Sequence, residues 1–303
     1  MVMLLAAPPN FALAVVLGIA DLVATDLTGY ANKKVLITGG SSGIGLAMAK
    51  LLASNGASLV LVARNLANLS AALEDIEALR VSPQQMFDIV SADVTDHQQL
   101  AHNLRSYTDQ SKLPDYVINA AGVARPGYVE EIPLNVFEWT MDINYHGTVN
   151  VVKHFLNSFI ARGSGVFVNF SSMAGVVGMF GYTAYAGSKF AVRGFSDALR
   201  SELKPKGIQV TIVYPPDTDT PQLAWEDQFK PFETRVIAGS DKPLPADQVA
   251  QDVLLKVLKK KNFVVTGAEA KLLHWAATHL GGLVYPILDT LVSSAQKKKS
   301  KLN

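Results

Sequence analysis

The sequence predicts a doubly wound parallel sheet, a three-layer α/β/α architecture in a single domain. Three observations predict it. Short apolar runs alternate with helical patterns along most of the chain. The runs are apolar throughout rather than at every second residue, as strands covered on both faces must be. Arg64, Asp93, Asn119, Ser171, Ser172 and Pro215 fall just past those runs, at the carboxyl ends of strands where such sheets bind ligands.

Val35-Leu36-Ile37 is the first buried-type run, and Leu46 to Leu52 after it is helix-like. Ser58 to Ala63 reads as a second strand. A helix follows with Leu66, Leu69, Leu73, Ile76 and Leu79 at helical spacing. Met86 to Val90 is a third strand, Asp96 to Tyr107 is helical, and Tyr116 to Asn119 is a fourth strand running into Ala120-Ala121-Gly122. Leu134 to Ile160 reads as one long helix, Gly165 to Phe170 as a fifth strand and Thr183 to Leu203 as a helix. Gln209 to Tyr214 is a sixth strand, Pro245 to Lys260 a helix and Phe263 to Val265 a short last strand. The core domain is expected over 31–268, with an apolar segment before it (1–30) and an apolar helix with a basic tail after it (269–303).

Composition narrows the function. A chain of 303 residues with 49% hydrophobic content is long enough for one large α/β domain. A formal net charge of +1 offers no basic face for nucleic acid. The absence of cysteine excludes disulfides, thiolate catalysis and cysteine-ligated zinc, and no metal site is expected.

Between the first strand and its helix lies Thr38-Gly39-Gly40-Ser41-Ser42-Gly43-Ile44-Gly45. Glycines let the backbone turn sharply and approach a pyrophosphate, and the helix start then offers unpaired N–H groups and the positive end of its dipole. The residue past the second strand reads the adenosine ribose. An acidic side chain there would favour NAD, a cation a 2′-phosphate. Here it is Arg64, whose guanidinium can fork two N–H bonds onto a phosphate, so the reading is NADPH; the plain alternative is an exposed surface arginine. Asp93 would accept from the adenine amino group with Val94 offering its backbone, or else Asp93 is a turn or helix-capping aspartate. The expected cofactor set is Gly39, Ser41, Ser42, Gly43, Ile44, Gly45, Arg64, Asn68, Asp93, Val94, Asn119, Ala120, Tyr185, Lys189, Pro215 and Thr218.

Tyr185 and Lys189 are four apart on a predicted helix and share a face. Ser172 lies thirteen residues earlier, at the end of the fifth strand, with Ser171 beside it pointing to the opposite face. With the glycine-rich turn and Asn119-Ala120-Ala121-Gly122, these residues make the chain resemble the short-chain dehydrogenase/reductase family over roughly 34–266. That resemblance implies a Rossmann fold and an oxidoreductase in which the nicotinamide gives hydride to a ketone and Tyr185 gives the proton. It also implies that Lys189 lowers the Tyr185 pKa and holds the nicotinamide ribose, that Ser172 orients the carbonyl, and that Asn144 helps hold a water relay to Lys189. Homo-oligomerisation through the helices beginning at Leu134 and Thr183 is expected by the same analogy. The physics agrees with a reductase: the alkoxide left by hydride needs hydrogen-bond donors. A free tyrosine, with pKa near 10, is already the acid required.

Within the family, Val62-Ala63-Arg64-Asn65, Gly181-Tyr182-Thr183-Ala184-Tyr185, Tyr214-Pro215-Pro216-Asp217-Thr218-Asp219-Thr220-Pro221 and the segment 230–237 resemble the reductases of 3-ketosphinganine. Where the family has a Pro-Gly turn, this chain has Pro-Pro and alternating Asp and Thr, expected as a turn capping the nicotinamide phosphate. The implied substrate is a long-chain keto sphingoid base or similar lipid; other hydrophobic ketones, or a non-catalytic NADP(H) sensor, are the rival readings.

A lipid substrate gives the ends of the chain a purpose. Met1 to Ala20 carries no charge but is broken by Pro8-Pro9-Asn10, so it reads as a membrane-associated segment, a packed arm or a signal. Leu272 to Val292 spans poorly with His274, His279, Pro286 and Asp289. It is expected in the interface, over an alkyl groove, or as a core helix with a solvated tail. Lys297 to Lys301 would favour anionic headgroups, and Lys299 with Lys301 resembles an endoplasmic-reticulum retrieval signal. The expected localisation is a membrane, that of the endoplasmic reticulum in a eukaryote, with the catalytic domain facing the cytoplasm.

Overall fold

Val35 and Ile37 of the first strand enter one hydrophobic core and Leu36 enters another, so a strand apolar at every position has both faces covered. The computed structural model describes residues 26–238 and 242–301. The first half contains β1 (Lys34–Thr38), α1 (Gly43–Ser54), β2 (Ser58–Ala63), α2 (Leu66–Glu77), β3 (Phe87–Ser91), α3 (His97–Asn103) and β4 (Tyr116–Asn119). Then come α4 (Leu134–Met141), α5 (Gly147–Arg162), β5 (Gly165–Phe170), α6 (Thr183–Leu203) and β6 (Ile208–Tyr214). The remainder is β7 (Thr218–Asp219), α7 (Pro221–Glu226), α8 (Phe232–Ala238), β8 (Leu244–Pro245), α9 (Ala246–Leu258), β9 (Phe263–Val265), α10 (Ala268–His279) and α11 (Val284–Lys299).

Seven strands form one parallel sheet in the order β3-β2-β1-β4-β5-β6-β9. Met48 and Leu52 of α1, Leu69 and Ile76 of α2, and Val249, Val253 and Val257 of α9 cover one face. Phe155 and Phe159 of α5, with Leu199 and Leu203 of α6, cover the other. The strand order reverses direction between β1 and β4. The two connections leaving their carboxyl ends part there and open a crevice. The predicted doubly wound sheet is the observed one.

Three local expectations change. The long helix from Leu134 to Ile160 is two helices separated by a π turn, Asp142–His146, in which Gly147 N–H donates to Asp142 O. Helical periodicity cannot reveal one extra residue in a turn. The stretch 217–220 is more than a turn: Thr218 and Asp219 pair in parallel with Leu244 and Pro245. Backbone hydrogen bonding has overridden poor strand propensity there. The predicted helix from Asp96 shortens to α3, because Asp96 accepts from Gln98 and Gln99 N–H as its cap and Arg105–Thr108 tightens into a 3-10 turn.

The C-terminal apolar stretch is α10 and α11, broken at Gly281–Leu283. No helix among the described residues is long and apolar enough to cross a membrane. Ala270, Leu273 and Ala277 of α10 pack on Met173, Ile212 and Val265, so α10 is joined to the sheet's own core. Of the N-terminal apolar segment, residues 1–25 lie outside the described residues; Leu27 and Tyr30 are buried, and Tyr30 OH donates to Leu254 O at 3.0 Å.

Gln85 fastens the end of α1 to the loop before β3. Its Nε2 donates to Ala53 O and Ala57 O at 2.7 and 2.9 Å, and its Oε1 accepts from Val81 and Ser82 N–H. Gln85→Ala removes four backbone partners from a buried site, and urea denaturation should show a loss of about 2–3 kcal/mol.

Candidate active site

Gly39 has φ +69, and a Cβ there would lie 2.8 Å from Ala121 N; a Cβ on Gly45 would lie 2.3 Å from Gly39 O. The turn after β1 is therefore folded against both its own helix and the connection after β4, which only glycine permits. Ser42 caps α1 in extended conformation without a side-chain hydrogen bond. The first turn of α1 thus brings backbone N–H groups to the crevice with no Ser42 cap on them. Thr220 closes from the opposite side, and Gly43 would touch its Cγ2 if it carried a Cβ.

These segments line one cavity of about 1250 Å³. It brings together Gly39, Ser42, Gly43, Ile44, Gly45, Ala120, Ser172, Tyr185, Lys189, Pro215 and Thr218. Ser41, Arg64, Asn68, Asp93, Val94, Asn119 and Asn144 do not line it. Arg64 is exposed beyond its rim, with its guanidinium 3.8 Å from Asp93 Oδ2. Asp93 Oδ1 accepts from Thr95 N–H and hydroxyl, which gives it the turn role noted above. Asn68 is exposed in the first turn of α2, and its backbone N–H donates to Asn65 Oδ1. Val94 O accepts from Asn150 Nδ2. Asn119 is buried below the floor and donates to Asn169 Oδ1 at 2.8 Å.

The two neighbouring serines face different ways. Ser171 donates to Lys189 O at 2.9 Å, whereas Ser172 Oγ accepts from Ala174 N–H at 3.1 Å and acts on the Tyr185 hydroxyl across the cavity, lowering its pKa. Lys189, four residues on along α6, reaches back across the end of β5 and donates from Nζ to Phe170 O at 2.9 Å. Its Nζ is 5.5 Å from the centroid of the Tyr185 ring. Asn144 stands behind them in the π turn: its Oδ1 accepts from Val123 N–H, and its Nδ2 donates to Val123 O and Ser188 Oγ. Ser188 in turn donates to Tyr185 O at 2.7 Å. The side chain of Asn144 thus ties the Ala120–Val123 connection to the helix that carries Tyr185 and Lys189.

Burial governs the charge states. It pushes Tyr185 well above 10, helped by the charge of Glu226, while the Ser172 hydrogen bond pulls the other way. Tyr185 is protonated at neutral pH. Burial pushes Lys189 down to about 8, with Glu226 opposing the shift. The sequence reasoning missed Glu226 altogether. It is 6% exposed and lines the cavity, but an acidic residue followed by Asp227 at the end of a short helix carries no sign of burial. Glu226 Oε2 accepts from Tyr182 OH at 3.0 Å and its Oε1 from Gln222 Nε2 at 2.8 Å.

The fold and this arrangement place the chain in a class. It belongs to the short chain dehydrogenase family, whose model matches residues 33–230, and it is an oxidoreductase. It is 40% identical over 221 residues to the 3-ketodihydrosphingosine reductase of Mus musculus, covering 73% of this chain and 67% of that protein. It is 33% identical over 291 residues to the protein of the same name from Dictyostelium discoideum, covering 91% of this chain and 87% of that one. Among solved structures, Levodione Reductase is 25% identical with a TM-score of 0.71, covering 82% of this chain and 99% of that one. A 3-oxoacyl-[acyl-carrier protein] reductase from Brucella melitensis, at 24% identity and TM-score 0.68, covers 80% and 92% and shares the fold.

A lysine whose pKa falls on folding binds fewer protons in the folded than in the unfolded chain between about 8 and the ordinary 10.5, so stability rises with pH in that window. Denaturation without added nucleotide should show the wild type gaining about 1–2 kcal/mol on Lys189→Met between pH 8 and 9.5. A constant difference across that range would show Lys189 to be ordinarily solvated.

Proposed function

We propose that the chain reduces the 3-keto group of 3-ketosphinganine to sphinganine with NADPH, in sphingolipid synthesis. One observation carries this reading: Ser172, Tyr185 and Lys189 meet in a single cavity whose one side is the glycine-rich turn and whose other side is an apolar wall of Leu273, Leu288 and Val292. The sphingoid-reductase names of the relatives support the same substrate.

The residues fit a dinucleotide. The glycine cradle has no room for a Cβ, and the first turn of α1 presents N–H groups suited to a pyrophosphate. Arg64 would hold the 2′-phosphate in place of its loose contact with Asp93. When bound, the nicotinamide supplies the hydride for the ketone carbon. Ser172 and Tyr185 donate hydrogen bonds to the ketone oxygen and stabilise the negative charge that develops on it. Tyr185, protonated at neutral pH, transfers its proton to that oxygen and completes the alcohol. The Lys189 ammonium then balances the phenolate, and its burial makes that pairing stronger than it would be in water. Asn144 holds Val123 and Ser188, keeping the tyrosine helix in register with the crevice. With its side-chain atoms so engaged, a water relay through Asn144 would use its carbonyl, which also accepts from Thr148 Oγ1.

The reading includes membrane association. Leu280, Leu283, Tyr285, Ile287 and Leu291 are exposed around the mouth that Tyr285 and Leu288 help to line. Such a ridge suits a bilayer surface that supplies an alkyl chain. Lys297, Lys298 and Lys301 are exposed beside it. Lys299 donates instead to Tyr128 OH and to Glu233 at 2.7 and 3.2 Å, so one lysine of the retrieval-like pair is bound to the domain.

Turnover of 3-ketosphinganine with NADPH tests the reading, and failure on that ketone beside good turnover of a steroid or acyl ketone would replace it. Tyr185→Phe should lower kcat by about 100-fold or more with the fold retained. Arg64→Ala should raise the KM for NADPH by roughly 10-fold or more and leave that for NADH within about 2-fold. Leu283→Asp with Ile287→Asp should shift the protein from pelleted vesicles to the supernatant while a water-soluble short-chain ketone is still reduced.

A further inference from the structure

Glu226 is a buried carboxylate whose hydrogen bonds come only from neutral donors, the Tyr182 hydroxyl and the Gln222 amide; burial raises its pKa, and the charge of Lys230 reaches it only from beyond ion-pair distance. Among the described residues no lysine, arginine or histidine nitrogen lies within ion-pair distance of it. The neighbouring Lys230 is drawn to Asp227 at 2.7 Å and to Asp217 at 3.8 Å. An ionised carboxylate taken out of water without a cation is costly unless a partner arrives. Among the described residues lining the cavity, the other carboxylates, Asp217, Asp227, Glu269 and Asp289, are exposed. Glu226 therefore stands apart as an interior anionic group facing the ligand space.

Its position is next to the chemistry. Tyr182, whose hydroxyl donates to it, holds its ring 5.8 Å from the Tyr185 ring, the two tilted at 54°. The negative charge of Glu226 is felt at both Tyr185 and Lys189 and raises the pKa of each. A ketone oxygen held by Ser172 and Tyr185 therefore brings the substituents of the adjacent carbon toward this carboxylate.

We propose that Glu226, held by Tyr182 and Gln222, is the specificity residue of this cavity and binds a protonated amine on the carbon next to the ketone. The inference rests on the reductase reading above and deepens it, because 3-ketosphinganine carries such an amine and acyl or steroid ketones do not. An ammonium at Glu226 supplies the missing cation, whereas an uncharged ketone leaves the carboxylate buried and unpaired. The site thus selects for the amino ketone and against neutral ones.

The experiment compares 3-ketosphinganine with the long-chain 1-hydroxy-3-ketone that lacks the 2-amino group, in wild type and Glu226→Gln. Wild type should favour the amino ketone in kcat/KM by at least about 30-fold. Glu226→Gln should reduce that preference to within a few-fold, through a higher KM for the amino ketone, while NADPH binding by fluorescence is kept. An unchanged KM for the amino ketone in Glu226→Gln, or equal use of both ketones by wild type, overturns the inference and leaves the reductase reading standing. Reduction of neither ketone by wild type, beside turnover of another carbonyl, overturns the reading itself. Should Glu226→Gln fail to fold, inhibition of wild type decides: a long-chain 2-amino alcohol should compete roughly 10-fold better than the matching diol. Equal inhibition by the two overturns the inference.

Discussion

One cavity holds two buried charges of opposite sign that do not pair. The Lys189 ammonium is anchored to the Phe170 carbonyl at the end of β5, and the Glu226 carboxylate to Tyr182 and Gln222. Each carries a desolvation cost of several kcal/mol that a direct ion pair would offset. The scaffold prevents that pair. Lys189 belongs to α6, braced by Ser171 and by the Asn144–Ser188 contacts, while Glu226 belongs to α7, started by Pro221 and capped by Thr220. The rest of the site follows from that separation, since the space between the charges is where a ligand with its own polar groups must fit.

The sheet was legible because parallel strands buried on both faces leave continuous apolar runs, and β2, β4, β5 and β9 came out at the bounds read from the sequence. The residues lining the crevice were legible for a related reason. Gly39 and Gly45 are fixed by backbone contacts that forbid a Cβ, and Tyr185 and Lys189 by a helical spacing that keeps them on one face. Ser172 could be told from Ser171 only by counting; the structure gives the physical difference, since the Ser171 hydroxyl is spent on the Lys189 carbonyl while Ser172, whose oxygen accepts from Ala174 N–H, keeps its proton for the cavity and acts on Tyr185. The π turn at Asp142–His146 was invisible because its flanks keep ordinary helical patterning. Thr218 and Asp219 pair with Leu244 and Pro245 from twenty-six residues away, which no local propensity encodes. Glu226 was missed because burial of a charged residue is a property of the tertiary fold rather than of its neighbours in sequence.

The molecule divides its labour by position. In the proposed reading, groups set on the ends of β1, β4, β5 and on α6 handle the cofactor and the proton, and their geometry comes with the sheet. Groups set on β7, α7, α8, α10 and α11 form the opposite wall, with no strand of the main sheet among them. That wall is held by contacts of its own. Glu233 of α8 accepts from Tyr128, and Lys299 of α11 donates to both, joining the last helix to the loop before α4. A wall built this way can change its side chains without disturbing the sheet, so substrate choice can vary while the chemistry stays fixed.

The proximity of Glu226 to the proton donor has a chemical consequence. A carboxylate near Tyr185 favours the protonated phenol and so makes it a weaker acid at the moment its proton is needed. Removing the carboxylate would relieve that, but so would placing a cation against it. Burial raises Tyr185 most, and a substrate ammonium at Glu226 would relieve the further rise that the carboxylate adds, only when the amino ketone is seated. Neutral ketones would meet a tyrosine whose acidity is further weakened by an unpaired charge. Recognition of the amine and readiness of the acid are then one electrostatic event, so part of the binding interaction appears in the transition state rather than in the ground state alone.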